Sequence, residues 1–475
     1  MVRDMNGKKL LEKIQNEFSL TPDLIIKEIN INHLKIIYAI YLESVCTADK
    51  VNAFILKDIT LGKSLKANIK DIRMLFSSPN LKSVEVKQIN FYLTSGFTIV
   101  FTNYNDQLLA IETKAELDRG IQKSEFEQSL IGPKDSFTEN YQKNLGIIKR
   151  RLKTSHLKME NFSLGRLSNT TVSLLYIDNI AGQDLVNRVK TKLNSLDIDA
   201  IFDVSNLVSV IDDQVKRRLP IVKLTEKPDY VCHELMSGKI AIIADNSPAA
   251  LVLPAFFIDF ISPVEDNYKK PTNINIIKII RLLSLIITIF LPALYISLVN
   301  YNREVLPISM LINFTIQQTG VPFPTIIEAF IMLLICEILR ETDLRFPNAY
   351  GSSMSIIGAL IIGEAAVSAG LVSPIMIIII AITFITGLMF TDAEIKNEIR
   401  RWTIIELILS SITGLYGLGL GIIFFLIHIC SIDSFGIPYF FPIAPFNKEY
   451  FEDTVIESIN EARSSYLTDN IKRRN

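Results

Sequence analysis

The sequence predicts an α/β (α+β) amino-terminal region built of two similar subdomains, followed by an all-α polytopic membrane domain of four to five membrane helices. Three observations carry this. Charge is partitioned: residues 276–429 hold 18 charged side chains in 154, while the other 321 residues hold 81 of the 99 in the chain. Two solvents are implied. Short β-branched and aromatic runs alternate with helical stretches before residue 250, and long apolar runs begin at Ile279. A weak internal repeat divides the polar part, with IIYAIYLESVCTADKVNAFI answering VSLLYIDNIAGQDLVNRVKTKL, and FTIVFTNYNDQLLAI answering GKIAIIADNSPAALVLPAFF.

Taken in order, residues 1–20 are a polar, partly helical lead-in without an apolar core of signal-peptide length, so this end is expected to stay unexported. Subdomain 1 covers 21–130. Its strands are expected at Asp23–Asn30, Leu34–Leu42, Phe97–Thr102 and Leu108–Glu112, with a helix over Ala48–Leu56. Subdomain 2 covers 131–247. There Ser136 is a candidate cap for a helix ending in Lys149, Arg150, Arg151 and Lys153. Those cations complement the helix dipole, and the expected reading is a solvated helix end, with a partner or lipid headgroups as the alternative. Strands at Thr171–Tyr176 and Ile240–Ala244 flank a helix at Gln183–Leu193.

Residues 248–275 form a juxtamembrane segment. PAALVLPAFFIDFISPV is too short and too interrupted by Pro254 and Pro263 to span, which predicts an interfacial helix. Lys269, Lys270, Lys278 and Arg281 then precede the first span, Ile279–Val299, and assign its amino-terminal side to the cytoplasm. The membrane domain covers 276–430. Ile326–Leu339 contains Glu328 and Glu337 and is closed by Arg340, Glu341, Asp343 and Arg345. Ser355, Ala359 and Gly363 recur every four residues and predict a face for close helix packing, with Glu364 directly after. Gly370 and Pro374 break the pattern before Ile375–Phe390. Thr391–Trp402, with Lys396, Arg400 and Arg401, is expected in the cytoplasm. The last span, Ile404–Ile429, carries Gly417 and Gly421 at packing distance. If Met354–Val367 re-enters, four spans return the tail (431–475) to the cytoplasm; if it crosses, five leave the tail outside. Its shortness favours four.

Net charge is −1, against a nucleic-acid binder. Four scattered cysteines support neither a disulfide framework nor a zinc site. Gly62-Lys63-Ser64 lacks the earlier glycine of a phosphate loop, which would fall at Lys57. Cys232-His233-Glu234 has no second ligand pair at metal spacing. No catalytic residue, cofactor or metal is expected, and the chain does not read as an enzyme. Charges inside spanning helices are costly and usually face an interior, a partner or water. Glu328, Glu337, Arg340 and Glu364 are therefore the candidate pore or polar membrane residues. Glu328 and Glu337 lie about 14 Å apart on opposite helix faces. Glu337 is placed to pair with Arg340 at i+3.

Three stretches, GPKDSFTENYQKNLGIIKRRLK, IAIIADNSPAALVLPAFFIDFISPVEDNY and PFPTIIEAFIMLLICEILRETDLRFPNAYGSSMSIIGALIIGEAAVSAGLVSP, strongly resemble the A-subunit family of bacterial spore nutrient-germinant receptors, the GerA family. One position departs: the family pattern has Gln after the glycine that is Gly363 here, and this chain has Glu364. The resemblance implies a multi-pass protein of the spore inner membrane with its amino-terminal domain on the cytoplasmic (core) side. It implies homo-oligomerisation into a ligand-gated ion conduit, and partnership with a transporter-like, nutrient-binding B subunit and a C-subunit lipoprotein. An A-subunit-like protein of the spore dipicolinate-release machinery, or a non-conducting membrane scaffold, are the alternatives.

Overall fold

The computed structural model describes residues 7–32, 35–62, 73, 76, 78, 80–102, 107–115, 131–211, 219–269, 271–345, 363–448 and 451. The chain divides into two compact units, the first running to Ala255 without residues 216–220 and the second starting at Phe256.

After helix α1 (Gly7–Glu17), the first unit holds two five-stranded sheets. Strands β1 (Leu24–Asn32), β2 (Lys35–Leu42), β3 (Leu81–Ser83), β4 (Phe97–Thr102) and β5 (Leu109–Glu112) lie in the order β1-β2-β4-β5-β3. Strands β6 (Leu157–Leu164), β7 (Thr170–Ile177), β8 (Lys223–Thr225), β9 (Ile240–Ala244) and β10 (Ala250–Leu253) lie in the order β6-β7-β9-β10-β8. The second sheet thus repeats the first strand for strand, and every pairing in both is antiparallel. The internal sequence resemblance falls on equivalent strands, β2 with β7 and the β4–β5 hairpin with β9–β10. In the central strands β4 and β9 every position is buried, because both faces are covered. Such strands read as continuous apolar runs without alternation.

Helix α2 (Tyr141–Arg151) starts at Asn140, whose side chain accepts the Lys143 N–H at 3.0 Å; Asn140, four residues beyond Ser136, is the cap. Its cationic end is solvated at Arg150 and Lys153, which are exposed, but not at Lys149. Lys149 is buried and pairs with buried Asp23 at 2.5 Å, and Asp23 also accepts the Ser44 hydroxyl at 2.5 Å. Arg151 pairs with Asp135, and Lys153 lies 5.3 Å from the Phe91 ring. Nearby, Lys158 Nζ donates to the carbonyls of Glu17 and Ser19, and Met159 N–H to that of Leu20. The last turn of α2 and the start of β6 therefore join the two sheets, a contact between residues 126 apart in the chain. Helix α3 (Gln183–Ser195) buries Leu185, Val186, Val189 and Leu193, the spacing of an amphipathic helix on a sheet. Helix α4 (Pro228–Met236) opens on a proline, which forfeits no intrahelical hydrogen bond there.

The interfacial helix expected over Pro248–Val264 does not form. Ala250–Leu253 is β10, fully buried between β9 and β8, and only α5 (Phe257–Ile261) is helical before a 3-10 turn at Val264–Tyr268. A short apolar run bounded by turns suits a buried strand as well as a lipid surface, and the neighbouring strands here supply its hydrogen bonds.

The second unit is helical: α6 (Pro271–Ile296), α7 (Ile308–Gln318), α8 (Thr325–Arg345), α9 (Pro374–Gly387), α10 (Ala393–Thr413) and α11 (Leu415–Ser431). With the π turn that follows it, α6 gives a 28-residue stretch, Ile274–Tyr301, whose most apolar 18 residues have a mean hydropathy of 2.5. Among the described residues this is the one helix long and apolar enough to cross a membrane. Arg281 near its start is buried and paired with Asp266, so this cation is held within the unit.

The single span expected over Ile404–Ile429 is corrected. The run is broken at Gly414, whose φ of +65 reverses the chain, so α11 folds back along α10. The pairing is visible in Trp402, whose ring lies 5.2 Å from Phe425 and 5.4 Å from His428. Hydropathy favours a continuous span there, but a left-handed backbone at glycine costs little and ends a helix abruptly.

After α11 the chain makes a small hairpin, Asp433–Ser434 with Ile437–Pro438, and returns to α5. Phe257 N–H donates to the Tyr439 carbonyl at 3.1 Å, and Phe256 and Phe441 rings lie 5.9 Å apart. Tyr439 is fully buried, and its hydroxyl has no partner among the described residues. Burial pushes its phenol well above the ordinary range. Tyr439→Phe is accordingly expected to be neutral or to stabilise by up to about 1–3 kcal/mol, the cost of an unmet buried polar group. Melting of the full chain in detergent checks this, and a clear loss of stability would reveal a partner for the hydroxyl.

Candidate functional site

Three of the places where polar side chains gather inside the helical unit contain a carboxylate of α8 or α10. At the first, Glu328 sits one turn into α8 with 1% exposure, and its carboxylate accepts the Ser373 N–H at 2.9 Å, just before α9. An anion there meets the unsatisfied N–H groups and positive dipole end of α9. Thr325, one turn earlier, donates to Asn300 Oδ1 at 3.1 Å and accepts from Gln318 Nε2 at 3.3 Å. One polar chain therefore ties the end of α6 to α7 and α8. Tyr295 and Ser373 are buried at the same end.

At the second, nine residues further along α8, Glu337 pairs with Arg340 at 3.3 Å and also directly with Arg400 of α10. Arg340 in turn lies 5.5 Å from the Phe384 ring of α9. These residues border a cavity of about 440 Å³ between α6, α8, α9 and α10, which Lys396 and Arg401 also line. Arg401 reaches Glu398 at 2.6 Å. Glu328 and Glu337 thus serve separate clusters and share no lining.

The third place is the α10–α11 hairpin. Gly417 and Gly421 are buried, and a side chain at Gly417 would run into the Leu409 carbonyl. At Gly421 it would run into the carboxylate of Glu406. Glu406 has 0% exposure, and neither of its oxygens has a hydrogen-bond partner among the described residues. Ser410, one turn on, is equally buried and equally without a partner. Sequence reasoning passed over Glu406, although a lone carboxylate near the start of an apolar run that also carries small residues was the available signal.

The remaining expected residues are less informative. Ser355 and Ala359 lie outside the described residues. Residues 363–368 are helical; Gly363 is half-buried with open space where a side chain would stand, and Glu364 is exposed. In the first unit, Cys46 and Cys232 are buried, which pushes their thiols up to about 11 and about 12. They stay protonated and unreactive at neutral pH. Burial alone would raise Glu234, but Lys239 at 2.5 Å and His233 hold its carboxyl below the usual range, an ion pair and not a ligand set. Among the described residues no group of His, Cys, Asp or Glu could hold a metal ion.

A duplicated antiparallel α+β region followed by a helical unit with internal carboxylates and, among the described residues, one helix long and apolar enough to cross a membrane defines the class by its architecture. Comparison with known proteins makes the class specific. The profile of the Bacillus/Clostridium GerA spore germination protein matches residues 12–464, and the chain belongs to that family. Spore germination protein KA of Bacillus subtilis (strain 168) is 33% identical over 453 residues, covering 94% of this chain and 83% of that protein. Spore germination protein GerLA of Bacillus cereus is 32% identical over 378 residues, covering 79% and 77%. Among solved structures, the N-terminal domain of the A subunit of the Bacillus megaterium spore germinant receptor GerK3 is 23% identical, with a TM-score of 0.41, and covers 53% of this chain and 96% of that one.

Proposed function

We propose that the chain is the A subunit of a spore nutrient-germinant receptor. In this reading it is an oligomeric component of the spore inner membrane that converts nutrient binding by a transporter-like B subunit, in company with a C-subunit lipoprotein, into ion release from the spore core. Family membership supports the role in germination. The observation that carries the membrane mechanism is the pair of buried carboxylates, Glu328 and Glu406, inside an apolar helical unit. Charges kept at such depth are costly, and those that persist face water, partners or transported species. The open space beside Gly363 and the exposed Glu364 suit a face completed by another subunit.

Two packings of these helices, one favoured when the partner holds nutrient, would gate the conduit. The test is cation efflux from liposomes containing the assembled receptor. Efflux triggered by nutrient, and altered in selectivity or size by Glu364→Gln, is the expected result. No efflux from wild-type receptor under any ligand would leave a scaffold and end the conduit reading.

A further inference from the structure

We propose that the cavity between α6, α8, α9 and α10 is a binding site for an anionic phospholipid, with the phosphate held by Arg340, Lys396, Arg400 and Arg401 and an acyl chain lying along its apolar wall. The inference does not depend on ion conduction. It starts from the cavity's division of chemistry. Four of its lining residues are cations and one, Glu337, is a carboxylate. Glu337 is shared between Arg340 and Arg400, and Glu398 takes Arg401 from outside the lining. Asp392 and Glu394 precede the cluster, with the Asp392 side chain engaged as the cap of α10 through the N–H groups of Glu394 and Ile395. Lys396 makes no salt bridge or side-chain hydrogen bond among the described residues, and it is partly withdrawn from solvent. Among its lining residues the site therefore carries more positive than negative charge, with Asp392 attracting Lys396 from outside the lining.

The rest of the lining is apolar, from Phe330, Leu333 and Leu334 of α8 to Ile380 and Phe384 of α9 and Ile404 of α10. Leu334 is 61% exposed and Ile404 41%, so this wall opens sideways to whatever surrounds the helices. All the cations lie at one end, where the carboxyl-terminal parts of α8 and α9 meet the start of α10. A soluble anion would need only the charged end; a ligand with an anionic head and a hydrocarbon tail uses both. At about 440 Å³ the cavity falls within the roughly 300–1,000 Å³ common for ligand sites. Arginine forks match phosphate oxygens in pairs, and basic pockets between membrane helices recognise anionic headgroups by this charge and geometry.

The test uses the purified full chain in a neutral detergent. Short-chain phosphatidylglycerol is titrated in, and protection of Lys396 from amine acetylation is read by mass spectrometry, with phosphatidylcholine of equal chain length and inorganic phosphate as parallel arms. Saturable protection by phosphatidylglycerol alone is expected. In native mass spectra, retention of the same lipid should weaken about fivefold in Lys396→Gln, the loss of one cation near a phosphate. Because Lys396 makes no salt bridge or side-chain hydrogen bond among the described residues, this variant should keep its fold, and the wild-type comparison between lipids stands without it. Equal protection by phosphatidylcholine would overturn the role of charge. Protection by inorganic phosphate alone would assign the site to a free anion, and protection that follows protein concentration would assign it to a second copy; either result, or none at any lipid concentration, overturns the proposal.

Discussion

Asp23→Ala is expected to destabilise the amino-terminal unit by about 3–5 kcal/mol, the cost of leaving one member of a buried pair without its partner. The substitution strands the Lys149 ammonium at 4% exposure, with the Ser44 hydroxyl also losing its acceptor. Removing both charges together, as Asp23→Leu with Lys149→Met, should cost far less and could be neutral, because desolvation of two ions offsets much of their attraction. Hydrogen exchange of β1 and α2 amides in the full chain measures both. A single-variant loss below about 1 kcal/mol would show that water reaches the pair, as is usual for exposed ion pairs. The pair also sets an acid limit. Burial alone would raise the Asp23 carboxyl, but Lys149 and Ser44 hold it below the ordinary value of 3.8. A depressed carboxyl stabilises fully above its unfolded value, so this contribution persists at neutral pH and disappears as pH falls below 3.8 through the folded value.

Gly421→Val is expected to open the α10–α11 hairpin. The new side chain has nowhere to go, since the Glu406 carboxylate occupies the position its first carbon would take. Overpacking of this kind costs about 1–3 kcal/mol, and more if the carboxylate is driven into apolar surroundings without donors. Glu406→Ala should be tolerated, as the carboxylate has no hydrogen-bond partner to lose among the described residues. The double variant should recover most of what Gly421→Val loses, a coupling of about 0.5–3 kcal/mol between touching residues. Protease cleavage near Gly414 in detergent-solubilised protein reports the opening. Failure of Glu406→Ala to rescue would mean the two helices do not meet at these positions.

Much of the polar half was legible because its signals are local. Ile240–Ala244 is five apolar residues ended by Asp245, Asn246 and Ser247, and it is a strand with those bounds. Gln183–Leu193 was visible from the spacing of its buried face. Two of the errors share one cause, that the deciding neighbour is distant in sequence. Lys149 looked like a solvated helix end because Asp23 cannot be seen from its own helix. Ala250–Leu253 looked interfacial because apolar residues between turns read alike whether a sheet or a lipid covers them. Ile404–Ile429 looked continuous because hydropathy averages do not register one glycine's backbone angle. At the charged residues of α8, the i+3 spacing of Glu337 and Arg340 was readable, whereas the contribution of Arg400 from a separate helix was not.

The reversal at Gly414 changes how sidedness is counted. In a membrane, a helical hairpin contributes an even number of crossings, none or two, so under the proposed reading Asp392 before it and Asp433 after it share one compartment. A reporter inserted at the Asp433–Pro438 hairpin would then report the same side as one inserted at the 391–393 turn.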